Sequence, residues 1–363
     1  MRHEPTRAER LARLRHTIAL HAPARDADGA FPREAFDELN ACGALADPPS
    51  GPGEMAALLA LLATVGRGDL STGRIFEGHV NALFLIDSFG TDEQRERAHA
   101  TADEGGILGV WNTDLPADPL RVEAGRLTGK KAFASGVDGL SQAIVTVPVA
   151  GGRQMLLVPL AGLPVDRAWW RPLGMRASGS HIVDMSGLEI RPEWWLGAPD
   201  DYITQPFFTG GAVRFLAVQA GGMHAVFDAA VDHLSRTGRA GDPHQAHRLA
   251  RMGCAVETAY LWLARAGEAW EAAQAASDAQ AGEHLKAVVE GARGAVERAG
   301  LDILEEAERG VGAAGLIAPH PLERLSRDLR TYLRQPNPDG AATEFAAAVT
   351  TGAWTPGRGL GLA

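Results

Sequence analysis

The 363-residue chain is 45% hydrophobic and 22% charged, proportions ordinary for a globular protein that argue against a disordered chain and leave room for two or three folded domains. A formal charge of -10 provides no bulk basic face for a nucleic acid, although a few arginines could still hold a small anion. Two cysteines, Cys42 and Cys254, are too few for a disulfide framework or a cysteine-rich metal site, and a reducing, cytoplasmic setting is expected.

The opening, MRHEPTRAERLARLRHTIAL, is charged and helix-patterned and lacks the apolar stretch of a secretory signal. No run of about 18 apolar residues occurs, so no membrane span is expected. Helical texture continues to about residue 106. In FPREAFDELNACGAL, Pro32 stands where a first helical turn tolerates it, and Phe36, Leu39 and Cys42 recur at helical spacing. Glu54 to Val65 is a second, apolar helix. Thr91-Asp92 caps a third, where a hydroxyl or carboxylate can satisfy open amides.

Between residues 107 and 200 the texture changes to short Val/Ile/Leu-rich runs separated by Gly and Pro: GILGVW, GRLTGKKAFASG, QAIVTVPV, RQMLLVPL and HIVDMSGLEI. These are strands joined by turns. From 201 to 363 the chain returns to long, alanine-rich helices, over Phe215–Leu234, His244–Ala273 and His284–Gly310, and then a last one through Asp328 and Arg330. Such helices suit a bundle. The prolines of RQPNPD should break the helix there, and the Gly-rich tail TGAWTPGRGLGLA should fray. The expected fold class is α+β: an N-terminal helical domain (1–106), a middle β domain (107–200) and a C-terminal four-helix bundle (201–363).

Several local strings, in order, resemble the acyl-CoA dehydrogenase family from about Phe31 to Asp328. FPREAFDELNACGAL is similar to the family's early helix, and HVNALFLIDSFGTDEQRERAHA to its helix pair around Phe-Gly-Thr-Asp/Glu-Glu-Gln. LTGKKAFASG resembles the strand Gly-x-Lys-x-Trp-Ile-Thr-Asn, and LGMRASGSHIVDMSGLEI the strand pair opened by Gly-Met-Arg-x-Ser/Thr-Gly-Ser. RLARMGCAVETAYLWLARA resembles a central bundle helix, and PLERLSRDLR the late segment ending in Arg-Asp.

The resemblance implies a non-covalent FAD and names its contacts. Trp111 and Thr113 stand where the family places a backbone and a hydroxyl beside the flavin ring, which needs donors where charge builds on reduction. Phe133 and Ser135 replace the family's ring-flanking Trp and Thr, and this exchange resembles the flavin monooxygenases built on the same fold. Arg236 corresponds to an arginine that reaches the FAD pyrophosphate of a neighbouring subunit, Gln245 to a family glutamine, and Gly312 to a Gly-rich turn near the adenosine. Arg176, Ser178, Gly179 and Ser180 read more simply as turn chemistry. His79 reads as a structural histidine, and His244 and His247 lack a carboxylate partner, so no metal is expected.

One family feature is missing. α,β-Dehydrogenation requires a base for the α-proton. At the two family positions for that carboxylate this chain has Pro336 and Gly211, with Asp339 and Glu344 the nearest carboxylates beyond Pro336. The monooxygenases' histidines are also replaced, by Tyr332 and Gln335. The resulting expectation is an FAD-dependent oxidoreductase acting on an acyl-CoA, an acyl-carrier thioester or a similar small molecule. The alternatives are a flavin monooxygenase and a non-catalytic relative with a decayed site. A homo-oligomer (dimer or tetramer) and an electron-transfer partner or flavin reductase are implied; no nucleic-acid or membrane partner is.

Overall fold

The computed structural model describes residues 6–276 and 278–358. The opening five residues and the last five of the glycine-rich tail lie outside the described residues. Five helices come first: α1 (Arg7–Asp28), α2 (Arg33–Ala41), α3 (Met55–Gly68), α4 (Leu70–Phe89) and α5 (Asp92–Asp103). Nine strands follow: β1 (Leu108–Trp111), β2 (Arg121–Glu123), β3 (Arg126–Thr128), β4 (Lys130–Ala134), β5 (Gln142–Val149), β6 (Gly152–Pro159), β7 (Val165–Asp166), β8 (His181–Asp184) and β9 (Trp195–Leu196). Among the described residues that follow, the α-helices are α6 (Phe207–Arg236), α7 (Pro243–Ala276), α8 (Ala279–Val311), α9 (Pro321–Tyr332) and α10 (Pro338–Thr351). The helix–strand–helix order of the α+β reading is thus present. Among the described residues no helix is long and apolar enough to cross a membrane.

Packing divides the chain along other lines than texture. One compact unit joins the residues up to Ser50 with Ser71–Phe208; the other joins Gly51–Leu70 with Thr209–Ala363. In the first unit the strands form sheets ordered β1-β5-β6-β9, β2-β3 and β4-β8-β7, with β1 and β5 parallel and the other pairs antiparallel. Leu83, Leu85 and Ile86 of α4 pack on Leu108, Ile144, Met155 and Leu196 of the four-stranded sheet. Thr91 caps α5 in a reciprocal box with Gln94, whose amide also donates to the Glu193 and Trp195 carbonyls and ties the helix to β9.

In the second unit α3 packs against α6 with almost no room between backbones. A methyl group on Gly66 would lie 2.4 Å from the Val218 carbonyl oxygen, and one on Gly221 2.1 Å from that of Ala63. Glycine at both places is what lets the two helices meet. Arg324 of α9 is buried between Asp69 (2.9 Å), at the end of α3, and Asp328 (3.1 Å), one turn along its own helix. The Arg-Asp string noted in the sequence thus has a structural task, with Asp328 as the far end of this ion pair. As expected, the helix ends before RQPNPD. Asn337 then caps α10 through the Gly340 amide.

His79, on α4, is fully buried. Its Nδ1 accepts from the Leu108 amide at 3.1 Å, so Nε2 carries the proton and donates to the Leu45 carbonyl at 2.9 Å. Burial pushes its pKa down to about 4, outweighing the Leu45 hydrogen bond. The native state therefore binds fewer protons than the unfolded chain between about pH 4 and 6.5. Stability from this group is present above pH 6.5 and is lost as pH falls towards 4. Unfolding free energy should drop by about 2 kcal/mol between pH 7 and pH 5 on this account. Urea titrations of wild type and His79→Gln at both pH values test it: the variant should lack that part of the drop, and parallel curves would refute it.

Candidate functional site

The segments that carry the predicted ring-contact residues are neighbours in the first unit: the Ala132 amide donates to the Thr113 carbonyl and the Trp111 indole to the Ser135 carbonyl. β4 carries a bulge: Lys131 pairs with Val183 and Ala134 with His181, so Ala132 and Phe133 oppose one residue of β8. Phe133 takes up the bulge with φ +53°, a left-handed conformation that costs a bulky residue about 1–2 kcal/mol. The bulge turns the ring outwards. Phe133 is 40% exposed while Ala132 and Ala134 beside it are buried. Its ring meets Trp169 edge-on at 5.0 Å and Trp170 at 6.1 Å. An aromatic wall open to solvent is the result, and the Trp169-Trp170 pair that completes it was not singled out in the sequence.

Ser135 follows the bulge. Its amide donates to the Phe133 carbonyl at 2.8 Å and its hydroxyl lies 2.8 Å from that of Ser180, which in turn is 2.8 Å from that of Ser178. Trp111 is nearby. Its indole is buried and donates to the Ser135 carbonyl at 3.1 Å, binding the end of β1 to the end of β4.

Thr113 is exposed between two anchors. The Asn112 side chain accepts from the Thr146 hydroxyl at 2.7 Å, and Asp114 accepts from Lys131 at 2.6 Å. Lys131 has no exposed surface, and it also donates to the Thr146 carbonyl at 2.7 Å. Burial lowers its pKa, with the Asp114 carboxylate acting in the opposite direction. The lysine of the Gly-x-Lys-x-Phe string is thus a buried clamp on the loop that presents Thr113. Sequence reading quoted that string without assigning its lysine a role; the signal was there in the spacing.

Behind the aromatic wall lies a cleft of about 640 Å³ lined by Asp138, Arg167, Trp170, Arg171, Arg176 and His181, with the end of α1. Its electrostatics centre on Asp138. The hydrogen bond from His181 Nε2 (3.2 Å) and the Arg167 guanidinium hold this carboxyl below its usual range, against the effect of burial.

The other predicted contacts lie in the second unit. Arg236 is exposed and paired with Asp232 on its own helix at 2.8 Å. Gln245 is buried in the first turn of α7, and its Oε1 has no hydrogen-bond partner among the described residues. It sits against Gly310, where a methyl group would lie 3.2 Å from that oxygen. Gly312 ends α8 at φ 80°, ψ -166°, backbone territory essentially reserved for glycine. Gln245 and the glycine turn are therefore brought together, and Arg236 is tied elsewhere. Among the described residues no group of three or more His, Cys, Asp or Glu could hold a metal.

The positions expected to carry a base have none. Gly211 lies in the first turns of α6, and Pro336 is exposed with its carbonyl bonded by Arg293. Asp339 is exposed at the start of α10. Glu344 is exposed and held by Lys286 at 2.7 Å, which lowers its pKa. Tyr332, at the first of the monooxygenase histidine positions, is buried, and its carbonyl accepts from Gln219 at 3.1 Å.

Residues 202–333 match the acyl-CoA dehydrogenase C-terminal domain. A dibenzothiophene monooxygenase of Mycolicibacterium goodii is 24% identical over 358 residues, covering 85% of this chain and 85% of the relative. Among solved structures, the methanesulfinate monooxygenase MsuC of Pseudomonas fluorescens superposes with a TM-score of 0.81 at 21% identity, over 96% of this chain and 98% of that one. KijD3, in complex with FMN and a dTDP-linked amino-keto sugar, superposes with a TM-score of 0.74 at 25% identity, over 96% and 92%. The chain thus carries the acyl-CoA dehydrogenase C-terminal domain over residues 202–333 and shares the fold of these proteins over nearly its whole length.

Proposed function

We propose that this protein is a flavin-dependent monooxygenase of a small organic substrate, with the flavin ring against Phe133 and Ser135. The observation that carries the reading is the bulged Phe133–Ser135 segment, which spends backbone strain to expose an aromatic ring next to a hydroxyl. Strain of this kind persists where the surroundings over-determine it, and it clusters at ligand clamps. Similarity to monooxygenases along most of the chain supports oxygen chemistry over the expected acyl-thioester oxidation, as does the absence of a carboxylate at Pro336 and Gly211.

The residues present suit a flavin. Phe133 and Trp169 offer apolar surface, and Ser135 and Thr113 offer hydroxyls. When bound, the flavin supplies two-electron reduction and reaction with oxygen. The chain's own part is to pack the ring, keep water from it and donate from Ser135. FAD was expected from the family resemblance. FMN is favoured here, because KijD3 is described with FMN and because Arg236, the candidate for a pyrophosphate, is engaged by Asp232. Electrons would come from a separate flavin reductase, and a homo-oligomer is retained from the resemblance.

The test is titration of the purified protein with FMN, FAD and riboflavin, followed by oxygen uptake with a reductase and reduced nicotinamide. FMN should bind more tightly than FAD. Phe133→Ala should weaken binding about tenfold, the worth of one well-packed aromatic contact. A protein that takes up no flavin, or one that oxidises substrate without consuming oxygen, would refute the reading.

A further inference from the structure

The hydroxyls of Ser178, Ser180 and Ser135 form a row, each 2.8 Å from the next. Every hydroxyl has one proton to donate and can accept two, so the two hydrogen bonds of the row use two of its three protons and leave one over. No other side-chain acceptor is bonded by Ser178 or Ser180 among the described residues. If the protons ran inwards, or converged on Ser180, the one left over would sit on Ser178 or Ser180, 1% and 4% exposed, with no acceptor among the described residues. That is a costly arrangement. If they run outwards, the last proton belongs to Ser135, the least buried of the three. There its only acceptor among the described residues, outside the row, is the Phe133 carbonyl at 3.5 Å, which already takes the Ser135 amide at 2.8 Å. The Ser135 proton is therefore left for whatever docks against the Phe133 face.

The row is locked in place by backbone. Ser178 and Ser180 flank Gly179 at φ +48°, the Ser178 carbonyl accepts from the Gly136 amide at 2.7 Å, and the Trp111 indole fixes the Ser135 carbonyl. Each hydroxyl is held where its neighbour needs it. The turn's serines thus bond one another, in place of the local backbone partners expected from sequence.

We propose that Ser178 and Ser180 are positioning residues that make Ser135 an obligate hydrogen-bond donor to an acceptor atom of the flavin ring. The inference rests on the flavin reading above. A neutral acceptor gains little from such a donor, whereas one that gathers negative charge on reduction gains more. Ser178 and Ser180 would thereby favour the reduced flavin without touching it.

The experiment measures binding of oxidised and reduced flavin, and the midpoint potential, in wild type, Ser135→Ala, Ser180→Ala, Ser180→Thr and Ser178→Ala. Ser135→Ala and Ser180→Ala should each weaken the reduced form relative to the oxidised by about tenfold, a potential lower by ~30 mV for two electrons. Ser180→Thr, which keeps the hydroxyl, should restore the wild-type ratio. Ser178→Ala should shift it in the same direction, and it carries the test if Ser180→Ala does not fold. If Ser135→Ala moves the ratio while Ser180→Ala and Ser178→Ala weaken both forms equally, the row is only structural and the inference falls alone. If Ser135→Ala leaves the ratio unmoved in a protein that binds flavin, the placement of the ring at Ser135 falls and takes the inference with it. A protein that binds no flavin overturns both.

Discussion

Acyl-CoAs of short, medium and branched chain should be oxidised by this protein ~10²–10⁴-fold more slowly than by a dehydrogenase that has its carboxylate, the usual worth of a positioned general base. Removal of the β-hydride by a flavin has to be matched by removal of the α-proton. The family resemblance assigns Pro336 and Gly211 to the two positions of the group that takes that proton, and neither has a side chain that can accept one. Nor do the nearby carboxylates replace it. Asp339 is solvent-exposed, and the Lys286 ammonium holds Glu344 in its charged form with a lowered pKa, which makes it a weak base. The measurement is turnover with an artificial electron acceptor under anaerobic conditions. Robust turnover abolished by Asp339→Asn or Glu344→Gln would overturn the expectation, because it would reveal a base that the chain does contain.

The largest expected loss of stability is at Arg324. Arg324→Met should cost about 3–5 kcal/mol, the usual penalty for removing one partner of a buried ion pair. The guanidinium lies between the carboxylates of Asp69 and Asp328, both almost fully buried, and its removal takes away the cation that the two share in a poorly solvated space. The Asp69 contact also joins the end of α3 to α9, so the loss should appear as lowered cooperative stability of the second unit. Urea unfolding followed by circular dichroism gives the value. Arg298→Ala is the control: its pair with Asp302 is exposed, is screened by solvent, and should change little. Equal effects at the two sites would mean that burial does not set the worth of the Arg324 pair.

What sequence determined by itself was whatever depends on neighbours a few residues apart. The capping box of Thr91 and Gln94, the break after Tyr332 and the change from helical to strand texture near residue 107 are local physics, and each is present in the structure. The order of family-like strings also carried the fold, because the spacing of helices and strands survives where identity is low. That Pro336 and Gly211 cannot take a proton is likewise legible without a structure, since neither side chain has an acceptor.

Tertiary structure decided what depends on distant residues meeting. α3 reads as one more early helix, yet glycine-to-backbone contact at Gly66 and Gly221 packs it with α6, far along the chain. Lys131 looks like a surface lysine until Asn112, Asp114 and Thr146 surround it. Arg236 looks free to bind an anion until Asp232, one helical turn away, is seen to take it. At Phe133 the strand pattern implies an ordinary extended residue, and only pairing with β8 requires the bulge that turns its ring outwards. The serine row joins Ser135 to Ser178 and Ser180 across more than forty positions of chain. No periodicity encodes such a meeting, because a hydroxyl's partner is chosen by which strands pair and in what register.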